Sequence, residues 1–283
     1  MSSLRQQLKV YEEGLTLKAV TQAYSEIAAT KLSKIRSGME NNIQFASELG
    51  DLYQLLRQEG FKNSLRFTPK LAGVAHLLIT SNNRFYSSLE KPLAKYYLTS
   101  TNNIQSASPN LPTLRLVIGK TGPTFLQADR YNLPFTPINL KKDLPDASEI
   151  AELIKIIGQY QTILIYHSRF KTVLTQLPVI SDITRSLIKP NPKLTEIHYI
   201  FEPELRLILE FFESQILQIS LEQTFLESEL ARTAARLISM DQAETNANDY
   251  LKQQSKILGT VKRSVENAKM MEMVSGLINR VQS

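Results

Sequence analysis

The chain has no cysteine and no tryptophan. Without thiols there is no disulfide, no thiolate metal site and no cysteine nucleophile, an absence that fits a reducing compartment. Proline is missing from both ends. All 12 prolines lie between Pro69 and Pro203, so residues 1–68 and 204–283 are each free to run as one long helix. In the second of these stretches only Gly259 and Gly276 weaken the helix, each by about 1 kcal/mol relative to alanine. No window approaches the ~20 uninterrupted apolar residues of a membrane span, and the start, MSSLRQQ, lacks the apolar run of a secretion signal. A soluble intracellular protein is expected. An apolar fraction of 42% over 283 residues is that of a folded chain with one large or two small domains.

What is present begins with a seam. Stepping alternately four and three residues from Leu226 meets Leu230, Thr233, Leu237, Met240, Glu244, Ala247, Leu251, Gln254, Leu258, Val261, Val265 and Ala268. Most are apolar, and a 3.5-residue spacing keeps one narrow stripe facing a partner helix. Eighty helical residues would span roughly 120 Å, more than a compact domain needs. At the other end, Leu4, Leu8, Tyr11, Leu15, then Val20, Tyr24, Ala28, Leu32, Ile35, Met39, then Leu49, Leu52 and Leu56 predict a second amphipathic helix. Its seam slips near Leu15–Val20 and Met39–Leu49.

Between Pro69 and Pro203 the pattern changes. Residues 74–80 (VAHLLIT), 113–118 (TLRLVI) and 161–167 (QTILIYH) read as buried strands, and 170–180 as a further extended run. Helices are expected over 90–98 and 147–160, with the main loop at 102–112. Alternating strands and helices imply a small, Rossmann-like, largely parallel α/β domain over 69–203, inserted between coiled-coil helices at 1–68 and 204–283. If the inserted domain brings its ends together, the two helices pack antiparallel.

The charge is polarised. Residues 204–250 hold three Lys/Arg against nine Asp/Glu, whereas 251–283 hold six against two and 1–36 hold six against three. Antiparallel pairing gathers both basic segments at one tip. There Met270, Met271 and Met273, with Val274, Leu277 and Ile278, surround most of the helix and require an apolar socket or a fold back onto the body. The pairs Arg232/Arg236 and Lys262/Arg263 read as solvated helix faces.

No active-site pattern emerges. Gly119-Lys120-Thr121-Gly122 follows a strand, but the first glycine of a phosphate-binding loop is replaced by Leu114, and Pro123 interrupts the amide run. It reads as a glycine turn. His76, His167 and His198 lie apart without ligand spacing. Nucleic-acid binding lacks an aromatic, basic strand platform or a recognition helix.

The two ends together resemble one family. The segment 21–34 (TQAYSEIAATKLSK) resembles the I-T-K-A-M-x-M-V-A-A-x-K-[ML] motif of the gamma subunit of F-type ATP synthases. Residues 234–247 (AARLISMDQAETNA) are similar to its A-A-R-M-x-A-M-x-x-A-T-x-N-A, and Val274-Ser-Gly276 to its ending. Residues 199–203 (YIFEP) and 176–181 (QLPVIS) match Y-x-[YF]-E-P and Q-x-P-x-I-S. Two segments depart from the family. Residues 80–88 (TSNNRFYSS) lack the glycines of the first-strand loop, and 262–270 (KRSVENAKM) replace R-Q-x-x-I-T-x-E-[LI]; the cysteine-bearing chloroplast insert is missing.

The resemblance implies a non-catalytic central-stalk rotor. It would transmit torque between a membrane c-ring and a hexamer of α and β subunits that holds the active sites, coupling proton or sodium flow to ATP synthesis or hydrolysis. It implies that Lys31, Lys34, Arg232, Arg236, Lys262, Arg263, Lys269, Met271, Met273, Val274, Leu277 and Ile278 face the hexamer. Tyr199, Phe201 and Glu202 would meet the epsilon subunit and c-ring. No cofactor or metal is implied, and the implied place is the cytoplasmic face of a bacterial plasma membrane, reached only through the c-ring. The competing readings are a static coiled-coil scaffold of the same architecture and a nucleotide-binding α/β protein using Gly119 to Thr121.

Overall fold

The computed structural model describes residues 2–62, 71–83, 86–184, 202 and 204–281, with side chains described for these except 2–3, 57–62, 87 and 276–281. Two long helices, α1 (Ser2–Lys62) and α5 (Leu205–Val281), flank a series of shorter elements. These are β1 (Leu71–Ile79), α2 (Ser87–Ala107), β2 (Thr113–Ile118), α3 (Thr121–Ala128), β3 (Thr136–Ile138), α4 (Ala147–Ile157), β4 (Tyr160–Phe170) and β5 (Gln176–Asp182). The chain divides into two compact units, 1–30 with 236–283, and 31–235.

In the larger unit the sheet order is β3-β2-β1-β4-β5. The first four strands run parallel and β5 returns antiparallel to β4. Successive side chains of a strand point to opposite faces, and the apolar runs divide accordingly. Leu77, Ile79, Leu116, Ile118, Ile163 and Ile165 pack with Ile150 and Leu153 of α4, Tyr53 and Leu56 of α1 and Leu209 to Phe225 of α5. Leu78, Val117 and Tyr166 pack on the other face with Leu93, Ala94 and Tyr97 of α2 and Leu126 of α3. A sheet covered on both faces needs continuous apolar strands, and these sequences supply them.

Several local expectations change. Helix α2 runs on to Ala107, through Asn102 and Asn103, which sequence placed in a loop. Ile104 is half-buried and Gln105 accepts a hydrogen bond from Arg115 Nη2 at 2.5 Å, so the extra turns are anchored on the sheet. Helix α3 and strand β3 were not foreseen. Pro123 does not stop α3, because it stands in the first turn, where the backbone N–H has no intrahelical partner. Helix α4 is started by a capping box: Asp146 accepts from the Glu149 amide and the Glu149 carboxylate accepts from the Asp146 amide, each at 2.9 Å.

Within each unit α1 and α5 run antiparallel. In the smaller unit Gln22 donates to Glu244 at 2.7 Å, while a Cβ on Gly14 would stand 2.9 Å from Leu251 Cδ2. In the larger unit Tyr53 donates to Glu213 at 2.9 Å and Lys31 pairs with Glu229.

The α5 seam is as expected, buried or half-buried from Leu226 to Val265. The α1 seam is not. It never slips: Leu4, Gln7, Tyr11, Gly14, Lys18, Thr21, Ser25, Ala28, Leu32, Ile35, Met39, Asn42, Ala46, Leu49, Tyr53 and Leu56 are all buried or half-buried at unbroken three- and four-residue steps. The apparent slips arise from following large apolar residues, whereas the contact runs through small and polar ones.

Gly119 closes the β2–α3 corner at φ +95°, and an added Cβ would lie 2.5 Å from the Thr80 carbonyl oxygen. Gly119→Ala is expected to destabilise the chain by roughly 2–3 kcal/mol through the left-handed backbone and the clash, read as a lowered urea midpoint at unchanged slope.

Candidate functional site

Because α1 turns its small residues toward α5, its large ones face outward. Leu17, Val20, Tyr24 and Ile27 follow one another at three- and four-residue steps and are exposed by 54%, 45%, 45% and 57%. These positions share one helix flank. Sequence placed Val20 and Tyr24 in the buried stripe and did not single out Leu17 or Ile27. The usable signal was Gly14, Thr21 and Ala28 at seven-residue intervals, a seam of small residues that displaces the bulky ones sideways.

The end of α5 forms a second bare surface. Every described side chain from Glu266 to Ser275 is exposed. Met270, Met271, Met273 and Val274 are exposed by 59%, 72%, 64% and 48%. Lys262, Arg263 and Lys269 are exposed on the same helix, as is Lys34 on α1. Leu277 and Ile278 lie on α5, but their side chains are outside the described residues, as are Tyr199 and Phe201 entirely; Glu202 is exposed in a bend. Arg236 is half-buried.

One expected surface cation is internal, and a second, half-buried, is paired with the same carboxylate. Arg232 is 1% exposed, not on a solvated face. Its Nε donates to Glu229 Oε2 at 3.0 Å and its Nη1 to Ser228 Oγ at 3.0 Å. Lys31 reaches the other oxygen of the same carboxylate. Burial pushes the Glu229 carboxyl up, and Arg232 and Lys31 outweigh it, leaving its pKa below the ordinary value. A charge this deep is tolerated only when paired and hydrogen-bonded. Lys31 therefore joins α1 to α5 through Glu229 inside the larger unit, and Arg232 holds that carboxylate from its own helix.

Nearby, Arg169 of β4 donates to Glu227 of α5 at 3.1 Å, and His167 Nε2 lies 2.9 Å from Ser181 Oγ and 3.9 Å from Glu227. Burial, reinforced by Arg169, lowers His167 to about 4. Burial, reinforced by Arg115, does the same to His76.

The glycine corner after β2 is no phosphate cradle. Its amides are already engaged: Gly119 N–H with Ile138 O at 3.0 Å, Thr121 N–H with Ser81 O at 3.1 Å and Gly122 N–H with Thr80 Oγ1 at 2.9 Å. A phosphate needs such donors free. Among the described residues no group of His, Cys, Asp and Glu is arranged to hold a metal ion, and none of the helices is long and apolar enough to cross a membrane.

Long paired helices flanking a parallel α/β sheet, with bare apolar and basic helix surfaces, define a protein that works through contact with partners. The chain belongs to the ATP synthase family, whose model matches residues 2–277. It is similar to the ATP synthase gamma chain of Pelotomaculum thermopropionicum, 22% identical over 98% of both chains. It is also similar to that of Buchnera aphidicola subsp. Schizaphis graminum, 23% identical over 92% of both. A chain from the Tetrahymena thermophila mitochondrial ATP synthase central stalk and c-ring shares the fold at a TM-score of 0.56 and 19% identity, over 79% of this chain and 99% of that one.

Glu229→Gln removes the charge that two cations share, and is expected to cost roughly 3 kcal/mol in urea unfolding. Lys31→Met is expected to cost under about 1 kcal/mol, since the Lys31 side chain is 42% exposed. Acid stability follows the histidines. Their folded pKa values lie below the unfolded value of 6.5, so their contribution is full above about pH 6.5 and is lost as pH falls toward 4. In that window the two histidines together should lower the folding constant by up to about a hundredfold per pH unit, offset in part by the raised carboxyls Glu90 and Glu227, and His76→Gln should remove about tenfold per unit of that fall.

Proposed function

We propose that this chain is the central-stalk rotor, the gamma subunit, of an F-type ATP synthase, and that it carries torque between a membrane c-ring and a hexamer of α and β subunits. Ion flow turns the ring and the stalk with it; the catalytic sites lie on β, and this chain supplies none. Its work is differential contact. A rotor whose flanks differ touches the three β subunits unequally, and unequal contact is the only way a bound partner can shift their conformational equilibria. Proton or sodium translocation is thereby coupled to ATP synthesis or hydrolysis. The stalk is peripheral to the cytoplasmic face of a bacterial plasma membrane and meets the membrane through the c-ring.

The observation that carries this reading is the inverted hydrophobicity of α1. A helix that buries glycine, threonine and alanine and presents Leu17, Val20, Tyr24 and Ile27 outward is built to be enclosed by something else, since contiguous apolar surface marks an interaction site. The hexamer-facing set is therefore this flank with Lys34, Arg236, Lys262, Arg263, Lys269, Met271, Met273, Val274, Leu277 and Ile278. Arg232 leaves it, being buried against Glu229, while Lys31, partly exposed, stays in it. Tyr199, Phe201 and Glu202 form the foot toward the epsilon subunit and c-ring. The division at 1–68, 69–203 and 204–283 assigns one stalk strand, the foot and the other strand.

Tyr24→Asp with Ile27→Asp tests the assignment. Both side chains are exposed, so the unfolding midpoint should stay within about 0.5 kcal/mol of the original. Loss of two apolar contacts should weaken capture of α and β subunits by a tagged full chain roughly hundredfold or more. Unchanged co-purification of α, β and epsilon would remove this flank from the interface. Failure of the unaltered chain to bring them down would overturn the reading itself.

A further inference from the structure

Glu90 stands in the first turn of α2 and is 2% exposed. Its Oε1 accepts from the Ser81 backbone N–H at 2.7 Å. Its Oε2 lies 2.6 Å from Thr121 Oγ1, and that same hydroxyl oxygen lies 2.9 Å from the Ser81 carbonyl oxygen. A threonine hydroxyl carries one hydrogen, a carbonyl oxygen carries none, and an ionised carboxylate only accepts. With Glu90 ionised, two close oxygen contacts would share a single proton. A neutral carboxyl supplies the missing one: Oε2–H donates to Thr121 Oγ1, which donates in turn to Ser81 O.

From this proton count we propose that Glu90 is a neutral carboxylic acid at neutral pH, a proton-dependent clasp that joins the β1–α2 loop to the start of α3 and loosens as the group ionises. The proposal does not depend on the rotor assignment. Burial raises the carboxyl above its ordinary range, while the hydrogen bond from the Ser81 amide and the field of Arg232 pull it partly back. Among the described residues, the charges on the elements around it are Arg232 of α5, with Glu229 and Lys31 behind it, and Asp143, which accepts from the Asn82 amide at 2.7 Å. Lys91 and Lys120, on α2 and before α3, are exposed. Ionisation would place a second carboxylate within the field of Arg232, which already holds Glu229. The clasp and the α1–α5 pairing thus draw on one guanidinium.

The sign follows from the raised pKa. The stability Glu90 contributes is full below the unfolded carboxyl value and is lost as pH rises through the folded one. Glu90→Gln in the full chain reproduces the neutral acid, since its Nε2–H can donate to Thr121 while Oε1 accepts from Ser81. From about pH 5 upward, the folding constant of the native chain should fall relative to the Gln variant by about tenfold per pH unit until the folded pKa is passed. Infrared difference spectra at neutral pH should show a protonated carboxyl C=O band that the Gln variant lacks. A Gln variant that is less stable than the native chain at every pH, or that fails to fold, would overturn the proposal, as would absence of the carboxyl band.

Discussion

How closely two helices approach is decided by the smallest side chains between them, and in the unit of residues 1–30 and 236–283 those are Gly14, Thr21, Ser25 and Ala28. They leave no room for bulk. Leu251 already fills the space beside Gly14, so the large apolar residues of α1 are driven to the flank. The outward face of Leu17, Val20, Tyr24 and Ile27 is thus a consequence of the seam itself. A leucine-filled seam in this stretch would hold the helices further apart and leave less apolar surface for a partner.

In the larger unit, α5 does two things at once. Its residues from Leu209 to Phe225 roof one face of the sheet. Just beyond, Glu227 reaches Arg169 near the carboxyl end of β4. An open sheet of order 3-2-1-4 reverses direction between those strands, and ligands of such folds characteristically bind in that crevice. Here a group of the chain itself stands at the end of β4, where Glu227 of α5 meets Arg169. An architecture that elsewhere binds nucleotides is used to seat a helix.

Much of this was legible in the sequence, and each failure has its own cause. The C-terminal seam could be traced because Leu230, Leu251 and Leu258 are both large and buried, with Leu237 half-buried between them. The seam of α1 could not, because inspection follows bulky residues and the contact runs through Gly14 and Thr21. Helix α3 was hidden by Gly122 and Pro123, which break helices in the middle but are tolerated in a first turn. The methionine-rich, basic end was visible from composition alone. The burial of Arg232 was not, although Glu229 three residues earlier was the clue, since i, i+3 pairs share a helix face.

One consequence of the uncovered end of α5 concerns its own conformation. From Glu266 to Val281 it continues the helix without tertiary burial among its described side chains, and most of a helix's stability in a protein comes from the packing of one face. In the proposed assembly, a surrounding ring that packed against the methionines would also tip this segment toward full order. Part of the grip it gained would be returned as chain entropy, leaving a contact tight enough to centre a shaft and weak enough to let it turn.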